Sequence, residues 1–271
     1  MSFGTSHLKS VRLATAMRQE EYGRDVVSGL LGMPRTLPCR YFYDARGSEL
    51  FERITDLPEY YPTRTEALIL QGCADELAAT TGPCELVELG AGSARKTTLL
   101  IDAYIRKNLA IHFRPVDVSE SALAETAHML AAHYDSLPIE ALVGTYEQGF
   151  TALARRHHRR RVLIFLGSTI GNLDDGETPR FFRHASDALA PGDFFLLGFD
   201  RIKDPEIIEA AYNDSQGVTE AFNLNLLRHL NRRFGANFDL GGFAHHAPFV
   251  PDRDRKSTRL NSSHVALSRM P

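Results

Sequence analysis

Two stretches of this chain bring together residue types that do chemistry at a defined spacing. The first is Glu88-Leu-Gly-Ala-Gly-Ser-Ala94. Glycines two apart after an apolar run let the backbone turn sharply and approach a ligand closely. A dinucleotide loop asks for a third glycine where Arg95 stands. A phosphate loop asks for glycine directly before Lys-Ser/Thr, and here Arg95 precedes Lys96-Thr97. S-adenosylmethionine has no pyrophosphate and needs no third glycine, and its cationic amino-acid end suits an acid beside a Gly-x-Gly turn. A structural turn with no ligand is the alternative. Asp117 closes the next apolar run. A carboxylate there accepts from both hydroxyls of a ribose, or else caps the helix that starts near Glu120. The second stretch holds Tyr41, Tyr43, Phe51, Tyr60 and Tyr61 just upstream. Clustered aromatic hydroxyls beside a cofactor loop make a grip for a small polar molecule, or an aromatic patch of core.

The elements that position these residues follow from periodicity. Residues 11 to 32 read as an amphipathic helix and residues 63 to 80 as another, stopped by Gly82-Pro83. Short apolar strands then alternate with helices: 85 to 89, 113 to 117, 139 to 143, 161 to 166 and 194 to 198, with helices to about 107, over 120 to 133 and near 180 to 189. Strands of that kind separated by helices predict an α/β fold with a parallel sheet covered on both faces. A helix-rich stretch follows from 204 to 230. The run Arg155-Arg-His-His-Arg-Arg-Arg161 reads as a solvated helix end, and His245-His246 as a loop pair without metal spacing. From about Arg253 periodicity stops. Residues 254 to 271 read as translated sequencing-library adapter, with a disordered polar tail as the alternative.

Composition sets the class. The 271 residues are 43% hydrophobic and 24% charged, enough for one large domain or two small ones. A net charge of −3 gives no basic field for nucleic acid or anionic lipid. No apolar run reaches bilayer length, and residues 1 to 10 lack the pattern of a signal peptide. Cys39, Cys73 and Cys84 fit neither a disulfide framework nor a metal site, so a reducing cytoplasm is expected.

Several segments together resemble the histidine-specific N-alpha-methyltransferases of ergothioneine biosynthesis. They are Tyr41-Phe-Tyr-Asp-Ala-Arg-Gly-Ser-Glu-Leu-Phe51, Leu57-Pro-Glu-Tyr-Tyr-Pro-Thr-Arg-Thr-Glu66, Glu88-Leu-Gly-Ala-Gly92, Phe165-Leu-Gly-Ser-Thr-Ile-Gly-Asn-Leu173 and Gly217-Val-Thr-Glu-Ala-Phe-Asn223. The resemblance implies a Rossmann-like class I methyltransferase sheet over residues 63 to 200. It also implies a smaller substrate-binding and lid domain, built from residues 1 to 62 and 201 to 253. The implied reaction moves three methyl groups from S-adenosylmethionine to the alpha-amine of L-histidine, giving hercynine, in a cytoplasmic monomer. Fungal members methylate a tryptophan derivative, so the family alone leaves the substrate open.

The resemblance also implies roles residue by residue. Tyr43 orients the amine near the cofactor, and Phe51 sits with it in a lid. Gly90 and Lys96 contact the cofactor's amino-acid end, and Asp117 its ribose. Asn172 and Tyr212 hold the substrate carboxylate, and Tyr60 faces the imidazole. Where the family has an acid followed by an aromatic to read adenine, this chain has Thr145-Tyr146, and a threonine hydroxyl accepts more weakly than a carboxylate. The family also continues past the position of Val250. The expected consequences are a missing sheet edge, an imidazole pocket lacking its partners for Tyr60, and low solubility, with a non-turning-over binder of S-adenosylmethionine as the competing reading.

Overall fold

The computed structural model describes residues 8–13, 23–153, 159–250, 255–256 and 259–262. In chain order the elements are β1 (Leu8–Arg12), α1 (Arg24–Leu31), α2 (Ala45–Thr55), α3 (Tyr61–Thr81), β2 (Cys84–Leu89), α4 (Thr97–Arg106), β3 (Ile111–Asp117), α5 (Glu120–His133) and β4 (Ile139–Val143). They continue as α6 (Tyr146–Leu153), β5 (Arg161–Phe165), α7 (Glu177–Ala188), β6 (Phe194–Leu197), α8 (Pro205–Tyr212) and α9 (Val218–Phe234). The short strands β7 (Phe243–His246), β8 (Phe249–Val250), β9 (Arg255–Lys256) and β10 (Arg259–Ser262) come last.

Six strands form one parallel sheet in the order β1-β4-β3-β2-β5-β6. The expected α/β class and all five expected strands are borne out, with boundaries shifted by at most two residues. Strand burial explains why they read as continuous apolar runs. Leu86 and Ile164 face a core with Leu100, Tyr104, Phe113 and Leu123, while Val87, Leu163 and Phe165 face another with Val116, Phe150 and Phe181. A strand buried on both faces has no polar alternation to show.

The sequence reading errs at the amino end. Residues 11 and 12 are strand, and α1 begins only at Arg24. Leu8-Lys-Ser-Val-Arg12 lies at the sheet edge, half-exposed, and pairs with β4 from Leu8↔Ile139 to Arg12↔Val143. His245-His246 also differs from expectation. It ends strand β7, which pairs antiparallel with β10. The first four residues of the basic run, Arg155 to His158, lie outside the described residues, but its last member Arg161 is buried rather than solvated.

Arg161 closes a row of alternating charge that crosses five adjacent strands. Lys9 on β1 pairs with Glu140 on β4 at 3.1 Å, and Glu140 with Arg114 on β3 at 2.9 Å. Arg114 then pairs with Glu85 on β2 at 3.1 Å, and Glu85 with Arg161 on β5 at 2.8 Å. The Arg161 guanidinium also donates to the last carbonyls of α6 and α7, Leu153 at 2.9 Å and Ala188 at 2.7 Å. A cation there satisfies orphan acceptors and faces the negative ends of two helix dipoles.

The chain divides into two compact units, Met1–Ala16 with Pro62–Asp200, and Met17–Tyr61 with Arg201–Pro271. The first carries the parallel sheet. In the second, Leu50, Ile54, Leu57 and Tyr60 pack with Ala211 and Val218, and Tyr41 packs with Leu226 and Leu230. Asp44 caps α2 by accepting from the amide of Gly47 at 2.7 Å and ties that cap to α9 through Asn225 at 2.8 Å and Arg232 at 2.6 Å.

Candidate active site

The sheet reverses its winding between β2 and β5, so their carboxyl ends flank a crevice of the kind where open α/β sheets bind ligands. The loop after β2 occupies that point. Gly90, Gly92 and Ala94 all have positive φ, at 71°, 50° and 50°. A Cβ on Gly90 would sit 3.0 Å from the hydroxyl of Tyr146, and one on Gly92 would meet nothing within 4 Å, so the loop is open on that side. Its amides are committed internally. Gly90 and Ala91 donate to Val116, Ala94 to Ala91, and Gly92 to the Asp117 carboxylate at 3.0 Å. These four amides form no phosphate cradle, which agrees with a cofactor that lacks a pyrophosphate.

Asp117 therefore does structural work as well. Its other oxygen accepts from the Ser119 amide at 2.8 Å, ahead of α5. Burial pushes its carboxyl above the ordinary value, opposed by the Ser119 and Gly92 amides. Thr126 on α5 adds a 2.7 Å bond to the Gly92 carbonyl, so Gly92 is held through both its peptide groups.

Beneath the loop lies Glu88. Its Oε1 accepts from the Thr97 hydroxyl at 2.6 Å, while its Oε2 is buried without a hydrogen-bond partner. Burial pushes its pKa up to about 8, with the Thr97 bond and the Lys96 charge pulling the other way. An orphaned carboxyl oxygen under an open glycine loop fits the ammonium end of S-adenosylmethionine. Lys96, at the mouth of α4, fits its carboxylate; here Lys96 is ion-paired to Glu66.

Thr145 directly precedes α6 and Tyr146 begins it. The Thr145 amide donates to Gln148 Oε1 at 2.8 Å and the Gln148 amide to the Thr145 hydroxyl at 3.4 Å, a reciprocal cap. Tyr146 packs edge-on to Phe165 with centroids 5.2 Å apart. Asn172 ends a short turn of 3-10 helix, Thr169–Asn172, after β5 and is exposed. Gly90, Lys96, Asp117, Thr145, Tyr146 and Asn172 thus all belong to the unit that carries the sheet.

The second unit gathers the aromatic candidates. Tyr43 meets Phe51 at 5.7 Å, Phe51 meets Tyr60 at 6.5 Å, and Tyr60 stands perpendicular to Tyr212 at 5.7 Å. Phe222 lies among them, stacked on Phe42 at 4.9 Å and reaching Tyr43 at 5.8 Å and Phe51 at 5.9 Å. Sequence reasoning did not single out Phe222, although it lies in one of the segments that carry the resemblance. His245 accepts from Asn223 at 2.8 Å through Nδ1 and donates to the Tyr212 carbonyl at 2.7 Å through Nε2, which fixes its tautomer and the backbone beside Tyr212. Tyr41 is structural: its hydroxyl donates to Asp25 at 3.0 Å and its ring packs on Phe234 at 5.6 Å. Among the described residues no cluster of His, Cys, Asp or Glu could hold a metal ion, and no helix is long and apolar enough to cross a membrane.

Comparison with known proteins shows the family of the chain. The model of a family described as histidine-specific, SAM-dependent methyltransferase matches residues 22–269. A histidine N-alpha-methyltransferase of Mycolicibacterium smegmatis is 44% identical over 243 residues, 90% of this chain and 75% of that protein. One from Mycobacterium tuberculosis is 44% identical over 232 residues, 86% of this chain and 72% of its own. Ergothioneine biosynthesis protein 1 of Neurospora crassa is 34% identical over 238 residues, 82% of this chain but 27% of that protein.

Proposed function

This chain belongs to the family of histidine-specific, SAM-dependent methyltransferases, and from that premise we propose that it methylates the alpha-amine of L-histidine in ergothioneine biosynthesis, through to the trimethylated betaine. The observation that carries the reading is the open glycine loop with Glu88 beneath it and Lys96 and Asp117 beside it, at the carboxyl ends of the central strands.

S-adenosylmethionine supplies an electrophilic methyl group on a sulfonium. The chain's own residues would do the rest. Glu88 and Lys96 would hold the ammonium and carboxylate of its amino-acid end, and Asp117 its ribose. The Thr145 hydroxyl, already bonded within the cap of α6, keeps one lone pair for the adenine amine beside Tyr146. Asn172 and Tyr212 would hold the histidine carboxylate, Tyr60 would face the imidazole, and Tyr43 would orient the amine. Methyl transfer to nitrogen needs a neutral amine held in line with the departing sulfur, and positioning of that kind supplies about 7–11 kcal/mol in the best models. The rings of Phe51 and Phe222 offer apolar and quadrupolar faces that favour the growing ammonium and keep water away. The substrate-side partner is a small molecule, we take the protein to act as a monomer, and its three scattered cysteines suit a reducing cytoplasm.

The test is calorimetry with S-adenosylmethionine alongside mass spectrometry of histidine incubated with both. Saturable binding and trimethylated histidine are expected. Binding without any methylated product would leave only a cofactor-binding protein, and preferential methylation of tryptophan from an amino-acid panel would overturn the substrate.

A further inference from the structure

Glu66 has no role in the reading above, yet three features converge on it. It lies in the second turn of α3, and both its carboxylate oxygens accept from the amide of Gly167, each at 2.9 Å. Its Oε2 is also ion-paired with Lys96. Finally, a Cβ on Gly198, the residue after β6, would collide with its Oε1, so this position must be glycine for the carboxylate to lie there. One side chain therefore touches the cofactor loop after β2, the turn after β5 and the end of β6.

The turn it holds is one that needs holding. Gly167 has φ +75° and Ser168, which is not glycine, has φ +55°. A left-handed non-glycine residue is strained by its Cβ, and such conformations persist only where the surroundings over-determine them. Here the Gly167 amide is fixed by Glu66, and the Ser168 hydroxyl accepts from the Asp200 amide at 3.0 Å. Four residues later the same turn delivers Asn172. Lys96 and Glu66 are mostly buried, with side chains 19% and 15% exposed. Removing one would leave the other's charge poorly solvated and free to reorient.

We propose that Glu66 is a positioning residue that sets the Lys96 ammonium and the Gly167–Asn172 turn in one register, so that the cofactor carboxylate and the histidine carboxylate are received by groups fixed to the same anchor. The proposal rests on the methyltransferase reading and deepens it. It requires no contact between Glu66 and either ligand.

A double-mutant cycle tests it. E66Q keeps the shape of the side chain but loses its charge; K96M removes the ammonium. Cofactor affinity is read by calorimetry, and kcat and KM for histidine by mass spectrometry. E66Q is expected to weaken cofactor binding about tenfold, equivalent to about 1.4 kcal/mol, and to raise the histidine KM. In the K96M background E66Q should leave cofactor affinity unchanged while the rise in histidine KM persists, because the turn is affected independently of the lysine. G198A, which drives a methyl into the carboxylate's slot, should reproduce E66Q and serves in its place should E66Q not fold. A merely structural glutamate would lower the melting temperature and give additive effects on cofactor affinity in the cycle. Additivity, or an E66Q protein with wild-type affinity and KM, overturns the proposal. An unmodified chain that neither binds S-adenosylmethionine nor methylates histidine overturns the functional reading and the proposal with it, whereas an active chain indifferent to E66Q overturns the proposal alone.

Discussion

At the scale of single residues, Glu88 carries the sharpest consequence. An acid in front of a Gly-x-Gly turn is legible in the sequence, but its protonation is not, because that depends on Thr97 and the sheet closing over it. Its pKa is raised from 4.5 to about 8, so the folded state holds a proton that the unfolded chain has released between those values. Stability of the free protein therefore falls as pH rises through that window, by about 1.4 kcal/mol per pH unit for one proton, and is level above it. E88Q removes this dependence. Asp117 is raised in the same direction and remains in both proteins, so the quantity to measure is the difference between wild type and E88Q in denaturant titrations from pH 5 to pH 8. E88Q is expected to gain on wild type as pH rises; parallel profiles would show Glu88 already ionised. Phe222 and Glu66 mark the other side of legibility at this scale. Nothing in local spacing shows that Glu66 reaches a backbone amide 101 positions away, or that Phe222 enters a ring cluster with Tyr43.

At the scale of elements, β2 and β5 were legible because burial on both faces leaves an uninterrupted run, as in Arg161-Val-Leu-Ile-Phe165, and β6 because all four of its residues are apolar. β1 was not. Its two apolar residues, Leu8 and Val11, are half-buried and separated by polar ones, and an edge strand carries weak alternation. The row Lys9–Glu140–Arg114–Glu85–Arg161 adds something no single strand shows. Because side chains alternate with period two, a one-residue slip of any strand would turn its charge onto the opposite face of the sheet, so the row specifies register. Arg161 is the member with most to lose, since it also serves the ends of α6 and α7. Arg161→Met should cost about 3–5 kcal/mol in urea unfolding, the range for breaking a buried ion pair from one side. The exposed pair Arg12–Glu120 serves as control, and its loss should cost far less, because solvent screens it. Equal costs for the two would mean that the buried row contributes nothing beyond a surface pair.

For the whole molecule, the division into two units was only partly readable. Residues near the amino end join the sheet-bearing unit through β1, while Met17–Tyr61 pairs with a stretch that begins at Arg201. Deleting residues 1 to 13 should therefore damage the sheet rather than the aromatic cluster. It uncovers the β4 edge and removes the contacts of Leu8 and Val11, a loss of about 2–4 kcal/mol. The expected result is a lower unfolding midpoint and faster aggregation; a midpoint equal to that of the full chain would mean β1 is dispensable. At the opposite edge, the far side of β6 bears no ladder among the described residues, and Phe199 just beyond it is exposed.

The aromatic cluster has a consequence in time. Tyr43 and Phe222 are separated by 222 − 43 = 179 positions. At roughly 5–20 residues per second of synthesis, on the order of ten to forty seconds pass between their emergence. Until α8 and α9 are made, Tyr41, Tyr43, Phe51 and Tyr60 lack their partners there, while the strands from β2 to β6 have already been synthesised. The sheet-bearing unit can form while the chain is still being made; the stretch from 41 to 61 waits with its rings uncovered until α8 and α9 follow.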